Sequence, residues 1–183
     1  TEVTGQRAAA FLSSNHIQGP VTANRHFALQ DGDGDLRALL SLRSPRSSAR
    51  MKRAEGVWEI QRYATCGIVP GGFTRLLKHA EQTLKKEGVQ LEQWISFAAN
   101  DISNGGMYEL AGFVADGELR PDYKYVGAFT GWNRSPKEGF QKKRFRDDPA
   151  LSWKEGWTEH EAALANGLFR IYDAGKTRWV KHV

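Results

Sequence analysis

The chain has 183 residues, 40% of them hydrophobic and 26% charged, with six Trp, which is the make-up of one soluble domain able to bury a core. No apolar run nears the roughly 18 residues that span a bilayer, so no membrane partner is expected. One cysteine, Cys66, excludes an internal disulfide and a thiolate zinc cluster, and the formal net charge of +5 leaves an anionic partner open.

The head of the chain lacks a basic start followed by an apolar core, so no secretory leader is expected and a cytoplasmic setting follows. A chain beginning with Thr1 is expected to have lost its initiator methionine or to have been cut from a longer one. Ala8, Ala9, Ala10, Phe11 and Leu12 are good helix formers and predict a helix over 5–14, stopped by Gly19-Pro20. His16 stands at its end, where it caps carbonyls or serves a site.

Residues 26–29 and 36–42 read as strands, joined by an Asp-Gly repeat that tolerates positive φ and therefore turns a hairpin. The repeat is not a calcium loop, because its twelfth position from Asp31 is Leu42 rather than a bidentate Glu. The polar stretch 43–56 has no apolar period and is expected to be an exposed loop. Residues 57–65 alternate as a strand. Phe73, Leu76, Leu77, Ala80 and Leu84 keep helical spacing up to Lys85-Lys86-Glu87-Gly88. Between them, Val69-Pro70-Gly71-Gly72-Phe73-Thr74 is a glycine loop opening a helix, whose free N–H groups suit a phosphate.

A strand is expected over 91–98, a short helix over 107–111 and a further strand over 124–129, with 130–146 irregular and basic. Asp147-Asp148-Pro149 resembles a helix start. Thr158-Glu159-His160-Glu161 is a stronger one, with Thr as N-cap and Glu three residues on. Residues 168–172 and 177–180 read as a terminal hairpin around 173–176. The whole predicts a mixed α/β (α+β) sheet with flanking helices, organised as a core over 1–130 and a basic C-terminal extension over 131–183 packed on the same domain.

Basic residues cluster twice. Arg43, Arg46, Arg50, Lys52 and Arg53 form one group and Lys142, Lys143, Arg144 and Arg146 the other, and both suggest a grip on nucleic-acid phosphates. Solvated loops would carry the same composition. The five scattered His without paired carboxylates argue against a metal site, and no nuclease pattern is present.

The element order and the motifs resemble the GNAT family of N-acetyltransferases. In that family a splayed strand leads into a glycine loop that binds the pyrophosphate of acetyl-CoA. The resemblance places that loop at Val69, Gly71, Gly72, Phe73 and Thr74, with Phe73 where the family prefers Gly or Ala, so its ring is expected to crowd a pyrophosphate. Tyr108-Glu-Leu-Ala-Gly112-Phe113 resembles the segment whose Tyr protonates the departing thiolate. The run from Ser96 to Phe113 resembles phage Mom-type DNA modification proteins and the GNAT-like C-terminal region of phage homing endonucleases. The second likeness extends to Asn15-His16, the glycine loop, Thr158 to Glu161, Arg170 to Asp173 and Trp179.

Both groups commonly carry an Asp at the position of Ala99, which makes Asp101 a stand-in. The resemblance implies a phage-encoded, acyl-CoA-dependent transferase acting in the host cell on a nucleobase or base-linked amine in DNA, with Tyr108 as acid and Asp101 or His16 as base. A non-catalytic DNA-binding module and an acetyltransferase for protein or small amines are the alternatives.

Overall fold

The structure, a computed structural model, describes residues 1–44, 47–48, 51–52 and 55–183, without the side chains of 47, 48, 51 and 52. Arg46, Arg50 and Arg53 lie outside the described residues, as does the side chain of Lys52.

Thr4 caps α1 (Gly5–Asn15) by accepting the Arg7 N–H, and the helix buries Ala8 and Leu12 with Ala28, Leu39 and Ala64. β1 (Arg25–Gln30) and β2 (Leu36–Arg43) pair antiparallel. The Asp-Gly repeat closes their turn: the Asp31 carboxylate accepts the N–H groups of Asp33 (3.1 Å) and Asp35 (2.9 Å). The stretch expected to be wholly loop contains a small antiparallel pair, β3 (Ser47–Ser48) with β4 (Met51–Lys52).

β5 (Val57–Thr65) pairs antiparallel with β2 and parallel with β6 (Gln93–Ala99). Between β5 and β6 runs α2 (Gly72–Lys86), which buries Phe73, Leu76, Leu77, Ala80 and Leu84 and ends with Lys85 and Lys86 at its negative pole. Each of the buried Phe and Leu side chains contributes roughly 1.5–3 kcal/mol. α3 (Gly106–Leu110) follows, then β7 (Val114–Leu119), all of whose residues are exposed. The last strand, β11 (Lys176–His182), enters between β6 and β7, giving the order β1-β2-β5-β6-β11-β7. Among the described residues no helix is long and apolar enough to cross a membrane.

The chain forms two compact units. The first holds Thr1–Ala98, Ser103–Glu118 and Thr177–Val183; the second holds Ala99–Ile102 and Leu119–Lys176. The division falls at the end of β7, and the last strand belongs to the first unit. In the second unit β8 (Tyr123–Gly127) is flanked by β10 (Leu168–Tyr172) and β9 (Ser135–Pro136). One face packs Tyr125 and Leu168 with Phe140, Phe145, Leu151, Ala162 and Ala163.

Three expectations are corrected here. Residues 130–146 are not irregular throughout, since α4 (Lys142–Asp147) forms around Phe145, which is fully buried. Asp147-Asp148-Pro149 ends that helix rather than starting one, with the Asp148 N–H bonded to Arg144 O (3.0 Å). The terminal hairpin does not form, because β10 pairs with β8 while β11 carries Trp179 and Val180 into the first unit. α5 (Glu159–Ala165) has the expected capping box: Thr158 Oγ1 accepts the Glu161 N–H (3.2 Å) and Glu161 Oε2 accepts the Thr158 N–H (2.8 Å).

Candidate active site at the fork between the central strands

The parallel pairing of β5 with β6 consists of Val57 with Gln93, Trp58 with Trp94 and Glu59 with Ile95, and then stops. The cause lies on the other edge of β5. Against β2, Ser41 stands opposite Arg62 but Leu42 stands opposite Ile60, so Gln61 is an extra residue. A bulge bends its strand and raises the local twist. Past it the two strands no longer share a ladder.

The fork leaves the Ile60 carbonyl in need of a donor, and Ser96 supplies one (Oγ to O, 3.1 Å). Ser96 is 1% exposed, and its oxygen also lies 2.7 Å from the Tyr108 hydroxyl. Serine carries a single hydroxyl proton. Since that proton goes to Ile60, the Tyr108 O–H is the donor to Ser96. Burial holds the Tyr108 hydroxyl above its ordinary pKa, an effect the Ser96 bond partly offsets. The Tyr108 ring stacks on Trp179 (centroids 5.7 Å apart, 20° between planes) and meets Phe73 and Phe113 edge-on. Behind Trp179 there is room only for glycine: a Cβ on Gly105, whose φ is +81°, would lie 2.0 Å from the indole. The buried indole N–H of Trp179 has no hydrogen-bond partner.

The glycine loop meets α2 beside this cluster. Gly71 adopts left-handed backbone (φ 65°) as N-cap, and a Cβ on Gly72 would lie 2.7 Å from the Tyr63 hydroxyl. Gly72 N–H is bonded to Val69 O (3.0 Å) and Arg75 N–H to Gly71 O (3.0 Å). The amides of Phe73 and Thr74 between them are those an α-helix leaves without an internal acceptor. Thr74 and Arg75 are exposed, and no acidic residue sits in this first turn. The crowding expected of Phe73 does not arise, because its ring is 4% exposed and turned inward onto Tyr63, Tyr108 and Phe113. Phe73 offers the loop only its amide. The site therefore fits a pyrophosphate at the helix start.

His16 is the C-cap of α1, and its Nδ1 accepts the Gln18 N–H (3.1 Å). Burial and the Arg62 charge lower its pKa, so at neutral pH the ring is uncharged with its proton on Nε2, presenting a donor rather than a base. Asp101 is exposed in the turn after β6 and belongs to the second unit, whereas Tyr108 belongs to the first.

Reading the sequence alone did not single out Glu59. This carboxylate is 8% exposed on β5, opposite Arg43 and Ile95 at the last rung before the fork. Arg62, held by Gln61 O (2.7 Å), feels its charge. The available signal was a Glu between Trp58 and Ile60, since a carboxylate in an apolar strand requires a reason.

Of the described basic residues, Arg43 is half-buried in the first unit and donates to Thr22 O (3.3 Å). Lys142, Lys143, Arg144 and Arg146 are exposed on α4 of the second unit, where Arg146 pairs with Asp147 (2.9 Å).

A mixed sheet whose central parallel strands part beside a glycine-turned helix start defines an α+β class. The particular fold is that of the GNAT acetyltransferases. No family model and no curated protein matches the chain. Solved structures do match it in fold. An acetyltransferase of Bacillus subtilis in complex with CoA is 13% identical, covering 100% of this chain and 95% of that one with a TM-score of 0.52. The ribosomal-protein-S18-alanine N-acetyltransferase of Escherichia coli is 12% identical, covering 100% and 92% with a TM-score of 0.52. An IAA acetyltransferase from Bacillus cereus is 13% identical, covering 100% and 97% with a TM-score of 0.50.

Proposed function

We propose that the protein is an acyl-CoA-dependent N-acyltransferase whose acceptor is a nucleobase or base-linked amine in DNA. The observation that carries the transferase reading is the fork itself, opened by the extra residue Gln61 beside the left-handed Gly71 turn. The likeness to a structure holding CoA supports the same cofactor. Acetyl-CoA, when bound, supplies a thioester-activated acyl group. The amides of Phe73 and Thr74 would hold its pyrophosphate.

An amine must be neutral to attack, so the site needs a proton acceptor. Glu59, at the last rung before the fork, suits that role better than His16, whose free nitrogen carries a proton. Tyr108 stays protonated at neutral pH and serves as the acid once its O–H turns from Ser96 to the leaving sulfur. DNA is read as the acceptor from the resemblance of the Ser96 to Phe113 run to phage DNA-modifying proteins and from the basic clusters. A base in duplex DNA would have to leave the stack to react.

One observation favours a second reading, a DNA-binding module without catalysis. The Tyr108 proton is committed to Ser96, and the Ser96 proton to Ile60, a closed relay that also serves structure alone. Mass spectrometry of nucleosides from DNA co-expressed with the protein separates the readings. An acyl-sized mass increment on one nucleoside, lost with Glu59→Gln, supports the transferase; unmodified DNA together with retained DNA binding supports the module.

A further inference from the structure

The turn after β8 carries Trp132 at φ 60°, and it is the one non-glycine residue with positive φ among the described residues. Left-handed backbone suits glycine, and for a bulky ring it is an outlier that its surroundings must enforce. Backbone and side-chain hydrogen bonds enforce it. Trp132 N–H is bonded to Gly127 O (2.9 Å) and Asn133 N–H to Thr130 O (3.1 Å). The Thr130 hydroxyl grips Gly127 at both its N–H (3.0 Å) and its carbonyl (2.9 Å). This strain does not serve packing, because the Trp132 ring is 69% exposed. What the turn achieves is to hold an indole out in solvent.

Phe129, 44% exposed on the same turn, walls a hollow of about 380 Å³ with Phe140, Pro136 and Arg144. The Arg144 guanidinium lies over the rings of Phe140 (4.8 Å) and Phe129 (5.6 Å), fixed by a bond from Nη1 to Gly139 O (2.7 Å). Its nearest carboxylate, Asp148, is at 3.9 Å. On the same helix Lys142 lies over Trp153 (5.3 Å) and Lys143 is exposed. Exposed aromatic faces interleaved with pre-placed cations form a stacking platform with a phosphate grip. Bases in a duplex have their faces covered, so the platform suits a single strand. A purely apolar peptide would leave the cations unused.

We propose that the second unit binds single-stranded nucleic acid here, with bases stacked on Trp132 and Phe129 and phosphates held by Arg144 and the lysines of α4. The inference shares with the reading above its nucleic-acid partner and the basic residues of α4, and binding of this kind needs no acyl donor. The test is fluorescence anisotropy of the full chain with labelled oligo-dT, oligo-U and a duplex of mixed sequence, at several salt concentrations. Either oligomer is expected to bind at least about tenfold more tightly than the duplex, and Trp132→Ala and Phe129→Ala each to weaken that binding about tenfold. Lys142→Ala with Lys143→Ala should flatten the salt dependence, which Trp132→Ala should leave unchanged.

Trp132→Gly separates binding from folding. It should lose affinity as the alanine variant does while melting no lower than wild type, because glycine accepts the turn without strain. A duplex bound as tightly as the oligomers, or a Trp132→Ala variant binding like wild type, overturns the proposal. Oligomer binding with no heat on addition of acetyl-CoA would instead remove the transferase reading and leave this one standing.

Discussion

At the scale of single residues, the fork depends on Ser96. It satisfies the Ile60 carbonyl that the fork strands, and it accepts the Tyr108 hydroxyl in a pocket closed to water. Removing Ser96 leaves two buried polar groups unpaired, each at a cost of about 1–3 kcal/mol, whereas Tyr108→Phe removes one bond and strands nothing on Ile60. Ser96→Ala is therefore expected to lower the thermal midpoint by roughly 4–24 °C, and Tyr108→Phe, which loses one bond of about 0.5–1.5 kcal/mol, by roughly 1–6 °C. Equal losses would mean that the hydroxyl of Ser96 does not serve both partners. None of this was legible from Ser96 itself. A serine in an alternating strand reads as a solvent-facing residue, and only the parting of two strands distant in sequence gives it work.

At the scale of elements, the sequence was informative wherever local chemistry decides structure. The Thr158 to Glu161 box and the apolar period of α2 are local signals, and both elements form as read. Thr158→Ala should lower the denaturant midpoint by the equivalent of about 1 kcal/mol without changing the slope of the transition. A larger loss, or an altered slope, would show that the cap also holds α5 to its sheet.

Elements decided by distant partners were not legible. Asp173-Ala-Gly-Lys176 looks like a hairpin turn, yet the Asp173 carboxylate accepts the N–H groups of Asp122 (2.8 Å) and Gly175 (2.9 Å) and directs the chain away from β10. β7 has no apolar face to alternate, and α4 displays a single buried side chain, Phe145. Periodicity cannot reveal elements of that kind.

For the whole molecule, the mixed sheet and its order of helices were readable, and the likeness in fold to known acetyltransferases agrees with them. The candidate site was readable in part. Gly71, Gly72 and Tyr108 carry visible motifs, while the bulge at Gln61, the buried Glu59 and the indole of Trp179 depend on which strands meet and which part. Phe73, the residue that breaks the glycine pattern, has its ring buried against Tyr63 and Tyr108.

The central claim is that the start of α2 and the fork beside it hold acyl-CoA. Isothermal titration calorimetry with acetyl-CoA tests it most directly, using wild type and Thr74→Glu. Glutamate in the first turn favours the helix dipole, so the variant should fold as well as wild type, while its charge opposes a pyrophosphate at the same amides. One-to-one binding by wild type is expected, with an affinity at least about tenfold lower for the variant at an unchanged melting temperature. Absence of heat with wild type at millimolar ligand, or equal affinity in the two proteins, would contradict it.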